Sequence, residues 1–189
     1  MSEGLLVCHC APTLAGIKCG SLFSCPYEDT AQIVSTLRGL NRKLVPKGLR
    51  VLPLRYADGR ALIYAYRPAS LAADLSNEAA HALLAEAGYH GESPDQCVLE
   101  LMRRLRANQC FPHEIGLFLG YPPEDVRGFI EHKACGYKCA GYWKVYGDAE
   151  KAKKTFDRYT RCTERYVSQW CNGVSIERLS DAPAANELN

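Results

Sequence analysis

Five residues near the start of the chain have the types and spacing for chemistry. Cys8, His9 and Cys10 stand in a row, and Cys19 and Cys25 follow within the same 19-residue stretch, VCHCAPTLAGIKCGSLFSC. A thiolate is a nucleophile and a soft-metal ligand, and an imidazole beside it serves as base or second ligand. Read as a strand, GLLVCHC turns Cys8 and Cys10 to one face and His9 to the other. If instead the strand ends at Cys8, Ala11-Pro12-Thr13 turns the chain into a short helical segment, TLAGIKCGSLF, interrupted by Gly16 and Gly20. Cys10 and His9 then sit at the mouth of a helix capped by Thr13. Its N-terminal dipole would lower the Cys10 pKa. The free N–H groups of that helix, with Lys18, would form a site for a small anionic ligand.

Two further groups invite chemistry. Cys135 and Cys139, four apart in a Gly-containing segment between Lys133 and Gly141, form half of a metal clasp. With Cys10 as a third ligand the set would suit zinc or iron. His113 and Glu114 follow Pro112 in the first turn of a helix, where an imidazole and a carboxylate can act as acid and base. No histidine follows His113 at the spacing of a zinc protease helix. The candidate catalytic set is therefore Cys10, His9, His113 and Glu114, the anion pair Thr13 and Lys18, and the metal set Cys10, Cys135 and Cys139. Each has a plainer explanation, a buried thiol or a capping and packing residue. Cys97, Cys110, Cys162 and Cys171 lie on helical patterns as filler.

The elements that must position these groups are legible from periodicity. Ile33, Val34, Leu37, Leu40 and Leu44 recur at helical spacing, and Pro46 and Gly48 end that helix. Two β-rich runs flank Ala57-Asp58-Gly59, which predicts a hairpin over residues 49–67 with one wet face. From residue 70 onward the patterns are helical, with a long final helix capped by Asp148. EIGLFLGYPPEDVRGFI fits a helix-turn-helix-like pair near 112–132, with Gly116 at the contact, Gly120 in the turn, and Val126 and Phe129 anchoring the second helix. Glu124 and Asp125 open that second helix, where they would repel DNA phosphates. The expected fold is α+β, a small sheet covered by five to seven helices. It forms one domain over residues 1–180, followed by a flexible tail at 181–189.

The chain has 189 residues and a net charge of +2, with 47% hydrophobic and 23% charged residues. Such a charge gives no overall field toward nucleic acid or acidic lipid. No apolar run reaches the length of a membrane span, and the first residues lack a secretory pattern. The expected location is the cytoplasm, with reduced thiols and no disulfide framework. No dinucleotide fingerprint, phosphate-binding loop or hydrolase elbow occurs. Between Lys133 and Arg165 nine basic residues face four acidic ones, interleaved with Tyr142, Trp143 and Tyr146. That run makes nucleic-acid or protein binding the alternative to thiol or metal chemistry.

Three blocks, HCAPTLAGIKCGSLF (9–23), FPHEIGLFLGYPPEDVRGFIEH (111–132) and GYWKVYGD (141–148), together resemble a mostly anaerobic bacterial family catalogued as a domain of unknown function, number three-seven-nine-three. The resemblance spans residues 5–180. It implies a cytosolic single-domain protein in a reducing cell that favours oxygen-sensitive metal chemistry, and it brings no catalytic residues.

Overall fold

The computed structural model describes residues 2–91, 93–107 and 111–181. Its first element corrects the sequence reading. GLLVCHC is not a strand but part of helix α1 (Glu3–Leu14), with Ser2 as cap, its hydroxyl accepting from the Leu5 N–H at 3.4 Å. Leu6, Val7, Cys10, Ala11 and Leu14 are buried. Spacings of one, three and four residues place them on a single helical face, whereas strand alternation would split Cys10 from Val7. The turn expected at Ala11-Pro12-Thr13 lies within the last turns of α1, which Gly16 ends at φ 74°. The segment expected to be helical runs instead into strand β1 (Gly20–Pro26).

Beyond β1, helix α2 (Thr30–Leu44) starts on Asp29, whose carboxylate accepts from the N–H groups of Ala31 and Gln32. Strands β2 (Arg50–Ala57) and β3 (Arg60–Tyr66) form the expected hairpin. Its turn residues Asp58 and Gly59 both have positive φ, 51° and 67°, the geometry that a two-residue turn needs to match strand twist. The sheet is antiparallel in the order β1-β3-β2. Neither face is wet. On one side Phe23, Val51, Ile63 and Ala65 pack with α1 and the Ile33, Leu37, Leu40 and Leu44 stripe of α2. On the other, Leu54, Tyr64 and Tyr66 lie under the helices that follow, with the two tyrosine rings stacked at 4.8 Å.

Those helices are α3 (Pro68–Leu75), α4 (Glu78–Glu86), α5 (Pro94–Ala107), α6 (Ile115–Phe118) and α7 (Pro123–Glu131). A two-residue ribbon, β4 (Cys139–Ala140) and β5 (Lys144–Val145), leads to the long helix α8 (Ala149–Cys171) and the short α9 (Ile176–Leu179). The class is α+β as expected, with more helical segments among the described residues because α6 and α9 are single turns. The helix-turn-helix-like pair keeps its turn at Gly120, φ 68°, but its first member is only the four residues of α6. The Phe118 carbonyl ties α6 to the sheet by accepting from the Tyr64 hydroxyl at 2.6 Å and the Cys19 thiol at 3.6 Å. Of the expected tail, residues 182–189 lie outside the described residues, as does Cys110.

Arg67 joins the ends of these elements. Buried after β3, its guanidinium donates to four backbone carbonyls: Thr13 at 2.8 Å, Leu14 at 2.6 Å, Lys47 at 3.0 Å and Ser180 at 3.1 Å. The first two lie at the C-terminal end of α1, where the Thr13 carbonyl also accepts from the Gly16 N–H at 3.1 Å. Replacing Arg67 with Ala takes away the donor shared by these carbonyls; Thr13 keeps its bond from Gly16, while those of Leu14, Lys47 and Ser180 lose the guanidinium. The expected loss is about 3 kcal/mol or more. Urea unfolding should show a lower midpoint at unchanged slope. Arg67→Lys should recover only part of it, because an ammonium lacks the planar fork.

Candidate functional site

The site is built where α6, α7 and the β4-β5 ribbon meet. Gly116 lets the two helices cross: a Cβ there would lie 2.8 Å from Val126 Cγ2. Val126 and Asp125 share the buried side of α7. Asp125 is 3% exposed and accepts three hydrogen bonds, each 2.7 Å: one from the Trp143 indole N–H and two from the backbone N–H groups of Tyr146 and Gly147. This carboxylate thus holds the ribbon onto α7. It does not face solvent, where the sequence placed it as a deterrent to phosphate. Trp143, so anchored, stacks on Tyr121 at 4.9 Å and meets Phe156 of α8 edge-on at 4.5 Å. Gly141 allows that approach, since a Cβ there would sit 2.3 Å from the Phe156 ring.

The result is a largely apolar cleft of about 530 Å³, walled by Leu22, Leu119, Tyr121, Phe129 and Trp143, with His113 and Lys144 at its edge. The His113 ring stands edge-on to Phe129 at 5.1 Å, and its nitrogens have no hydrogen-bond partner among the described residues. Lys144 Nζ is engaged, donating to the Ala134 carbonyl at 2.8 Å and lying over the Tyr137 ring at 4.7 Å. His113 also borders a second cleft, of about 480 Å³, together with Arg104, Glu114 and Arg127.

Glu114 points away from the apolar cleft. Buried, it accepts from the Tyr89 hydroxyl at 3.1 Å and from Arg104 at 3.4 Å. The two side chains diverge because neighbours on a helical turn point about 100° apart. Arg104 in turn lies over the Tyr89 ring at 4.2 Å and pairs with Glu100 at 2.7 Å. Hydrogen bonds from Arg103 and Arg104 hold the Glu100 carboxyl down to about 2.

The N-terminal candidates do not assemble as expected. His9 is exposed and stacks on Phe23 at 5.1 Å, while Cys10 is fully buried in the core between α1, α2 and the sheet. Burial pushes the Cys10 thiol up, so it is a neutral S–H and not an activated thiolate. The helix mouth that was to activate it does not exist, because α1 ends just beyond Cys10. Thr13 caps nothing; its hydroxyl is within 2.8 Å of Ser21 Oγ in the interior. Lys18 lies apart from Thr13, over the rings of Tyr121 and Tyr159. Cys135 is exposed, Cys139 half-buried on β4, and Cys10 belongs to a different core cluster. Among the described residues no group of three or more His, Cys, Asp or Glu side chains is placed to hold a metal ion, so the expected zinc or iron set does not converge.

What does converge is the three sequence blocks themselves. Lys18 from the first meets Tyr121 from the second, and Tyr121 meets Trp143 from the third. The family model described as Protein of unknown function (DUF3793) matches residues 6–180. The chain belongs to this family. No curated protein and no solved structure matches it. The match to DUF3793 runs from within α1 to just past α9, and so includes every wall of the apolar cleft. Among the described residues no helix is long and apolar enough to cross a membrane.

Sequence reasoning missed the role of Asp125. The available signal was an acidic residue beside Val126 on the apolar side of a short helix, within reach of a Gly-rich aromatic segment. Asp125→Ala should cost about 3 kcal/mol, since three bonds to one carboxylate are lost and two backbone donors are stranded. The near-ultraviolet circular dichroism of Trp143 should fall while the far-ultraviolet spectrum is kept. Acidification gives a second expectation. A carboxyl whose folded pKa is depressed contributes stability above its unfolded value of about 4.5 and loses it as pH falls toward about 2. Glu100→Gln should therefore flatten the unfolding midpoint against pH between those limits and leave pH 7 to 8 slopes unchanged.

Proposed function

We propose that the chain is a small-molecule-binding protein whose ligand is a flat, mainly apolar compound held in the cleft between α6, α7 and the β4-β5 ribbon. The observation that carries this reading is the cleft itself. Its volume of about 530 Å³ falls in the range of organic-ligand sites, and its walls are aromatic and aliphatic. The polar groups at its edge are unequal. Asp125 is engaged by three donors and Lys144 is held by Ala134, whereas the His113 ring nitrogens have no hydrogen-bond partner among the described residues. His113 would give or take a proton or hydrogen bond at the ligand's polar end.

This reading keeps the FPHEIG turn of the sequence analysis and replaces thiol or metal chemistry at Cys10 with binding at His113. The helix-turn-helix-like pair lends less to nucleic-acid binding. Arg127, the basic residue of α7, is tied to Glu86 at 3.0 Å and lies 3.6 Å from Glu131.

Fluorescence titration with anilinonaphthalene sulfonate, an aromatic probe of the cleft, tests the proposal. The native protein should bind the probe saturably in the micromolar range and quench Trp143. Leu22→Trp, which fills the cleft from β1, should abolish saturable binding, and Val45→Trp, on an exposed remote site, should leave it intact. Equal binding by Leu22→Trp and the native protein would overturn the assignment.

A further inference from the structure

Helix α8 sorts its charges by side. Its six basic and three acidic residues give an excess greater than the +2 of the whole chain. Lys151, Lys154, Arg158, Arg161 and Arg165 recur at alternating steps of three and four, and all five are exposed. At 3.6 residues per turn they fall within an arc of about 80° and form a strip about 21 Å long. Ala152, Tyr159, Cys162 and Tyr166, buried in the cores, lie on one flank of that arc. Glu150, Asp157 and Glu164 recur every seven residues on the other flank.

The strip is not neutralised by its neighbours. Among the described residues Lys151, Lys154, Arg158 and Arg161 form no ion pair. Glu150 pairs instead with Lys153 at 3.0 Å, outside the arc, and Arg161 donates to the Asp157 backbone carbonyl at 3.4 Å. Like charges three and four apart on a helix repel, and a polyanion laid along them relieves that repulsion.

The character of the surface selects the polyanion. Between Lys151 and Arg165 the arc holds no apolar residue. A protein partner would need an apolar or aromatic anchor at the centre of its interface. A helix that beds into a membrane surface turns its apolar side outward, whereas that of α8 is occupied by the cores. A face that is wholly polar and positive suits nucleic acid. Tyr142, the exposed ring packed against α8, contacts Phe156 and lies 3.4 Å from Thr160 Oγ1, on the side of the helix opposite the strip. It does not stand beside the strip to stack an unpaired base. With its inner side against α1, α8 cannot sink into a groove as a free helix does, and it meets the phosphates instead.

We propose that the basic strip of α8 binds the phosphate backbone of double-stranded nucleic acid without reading its sequence. Each lysine or arginine that meets a phosphate releases condensed counterions. The strip shares no residue with the walls of the apolar cleft, so its binding does not depend on a ligand there.

The test is fluorescence anisotropy of a labelled DNA duplex of about 20 base pairs and mixed sequence, titrated with the native chain from about 50 mM to about 200 mM salt. Five phosphate contacts give a slope of log affinity against log salt of about −4 to −5. Arg158→Gln combined with Arg161→Gln should weaken binding about tenfold or more and reduce the steepness by about two. Arg38→Gln combined with Arg42→Gln, which removes the same charge from exposed positions of α2, should leave the affinity within about twofold. Whichever of this duplex and an RNA duplex of equal length binds more tightly names the source. A slope weaker than about −1, or tighter binding to a single strand of the same sequence, would overturn the proposal. So would equal losses in the two double variants, or tighter binding to phosphatidylserine vesicles than to the duplex. The slope is read on the native protein, so the fold of a variant cannot mimic it.

Discussion

The Asp125 carboxylate is the constraint on which the functional half of the molecule depends. A two-residue ribbon has almost no stability of its own, because two short strands bury too little surface to offset the entropy of ordering them. Here three donors from the ribbon and its exit, the Trp143 indole and the Tyr146 and Gly147 N–H groups, converge on one side chain of α7. Everything beyond follows from that placement: Trp143 against Tyr121, Phe156 against Trp143, and the cleft between them. Gly128 and Gly141 admit the Tyr146 and Phe156 rings at distances that a Cβ would block.

Arg67 performs the matching service for the structural half. It satisfies carbonyls from the end of α1, from the turn after α2 and from Ser180 near the end of α9, so segments far apart in sequence share one donor. A buried guanidinium is costly unless its N–H groups are filled, and four carbonyls fill them without a carboxylate partner. The sheet is covered on both faces, with Cys10 in one core and Cys19 in the other. The cysteines among these apolar residues behave as small hydrophobic side chains, which answers most of the question raised by the dense N-terminal thiol cluster.

How much was legible depended on how local the determinant was. The β2-β3 hairpin was readable because Asp58-Gly59 carries its own backbone preference, α2 because its apolar residues recur at helical spacing, and α8 because Asp148 caps it. The first segment misled because GLLVCHC is short, apolar and compatible with either period. Only by extending the pattern through Ala11 and Leu14, past Pro12, does the helical face emerge. Pro12 suggested a break, yet it falls in the last turn, where little of the helix remains to be disrupted. The site was less legible. His113 was singled out from its type and position, but its pairing with Glu114 dissolved because Glu114 is drawn to Tyr89 and Arg104, residues of distant elements. Asp125, Tyr121 and the Lys18 ring contacts are products of tertiary packing, and no spacing along the chain encodes them.

Amide hydrogen exchange followed by nuclear magnetic resonance addresses the role of Asp125 most directly. If its carboxylate holds the ribbon on α7, the Tyr146 and Gly147 amides and the Trp143 indole N–H should be strongly protected and should exchange together, in one opening event, as parts of a single cooperative unit. Exchange of the two amides at the rate of an unstructured peptide, with Trp143 mobile in the same spectra, would show that the carboxylate does not anchor the ribbon and that the cleft it shapes is not a standing feature of the protein.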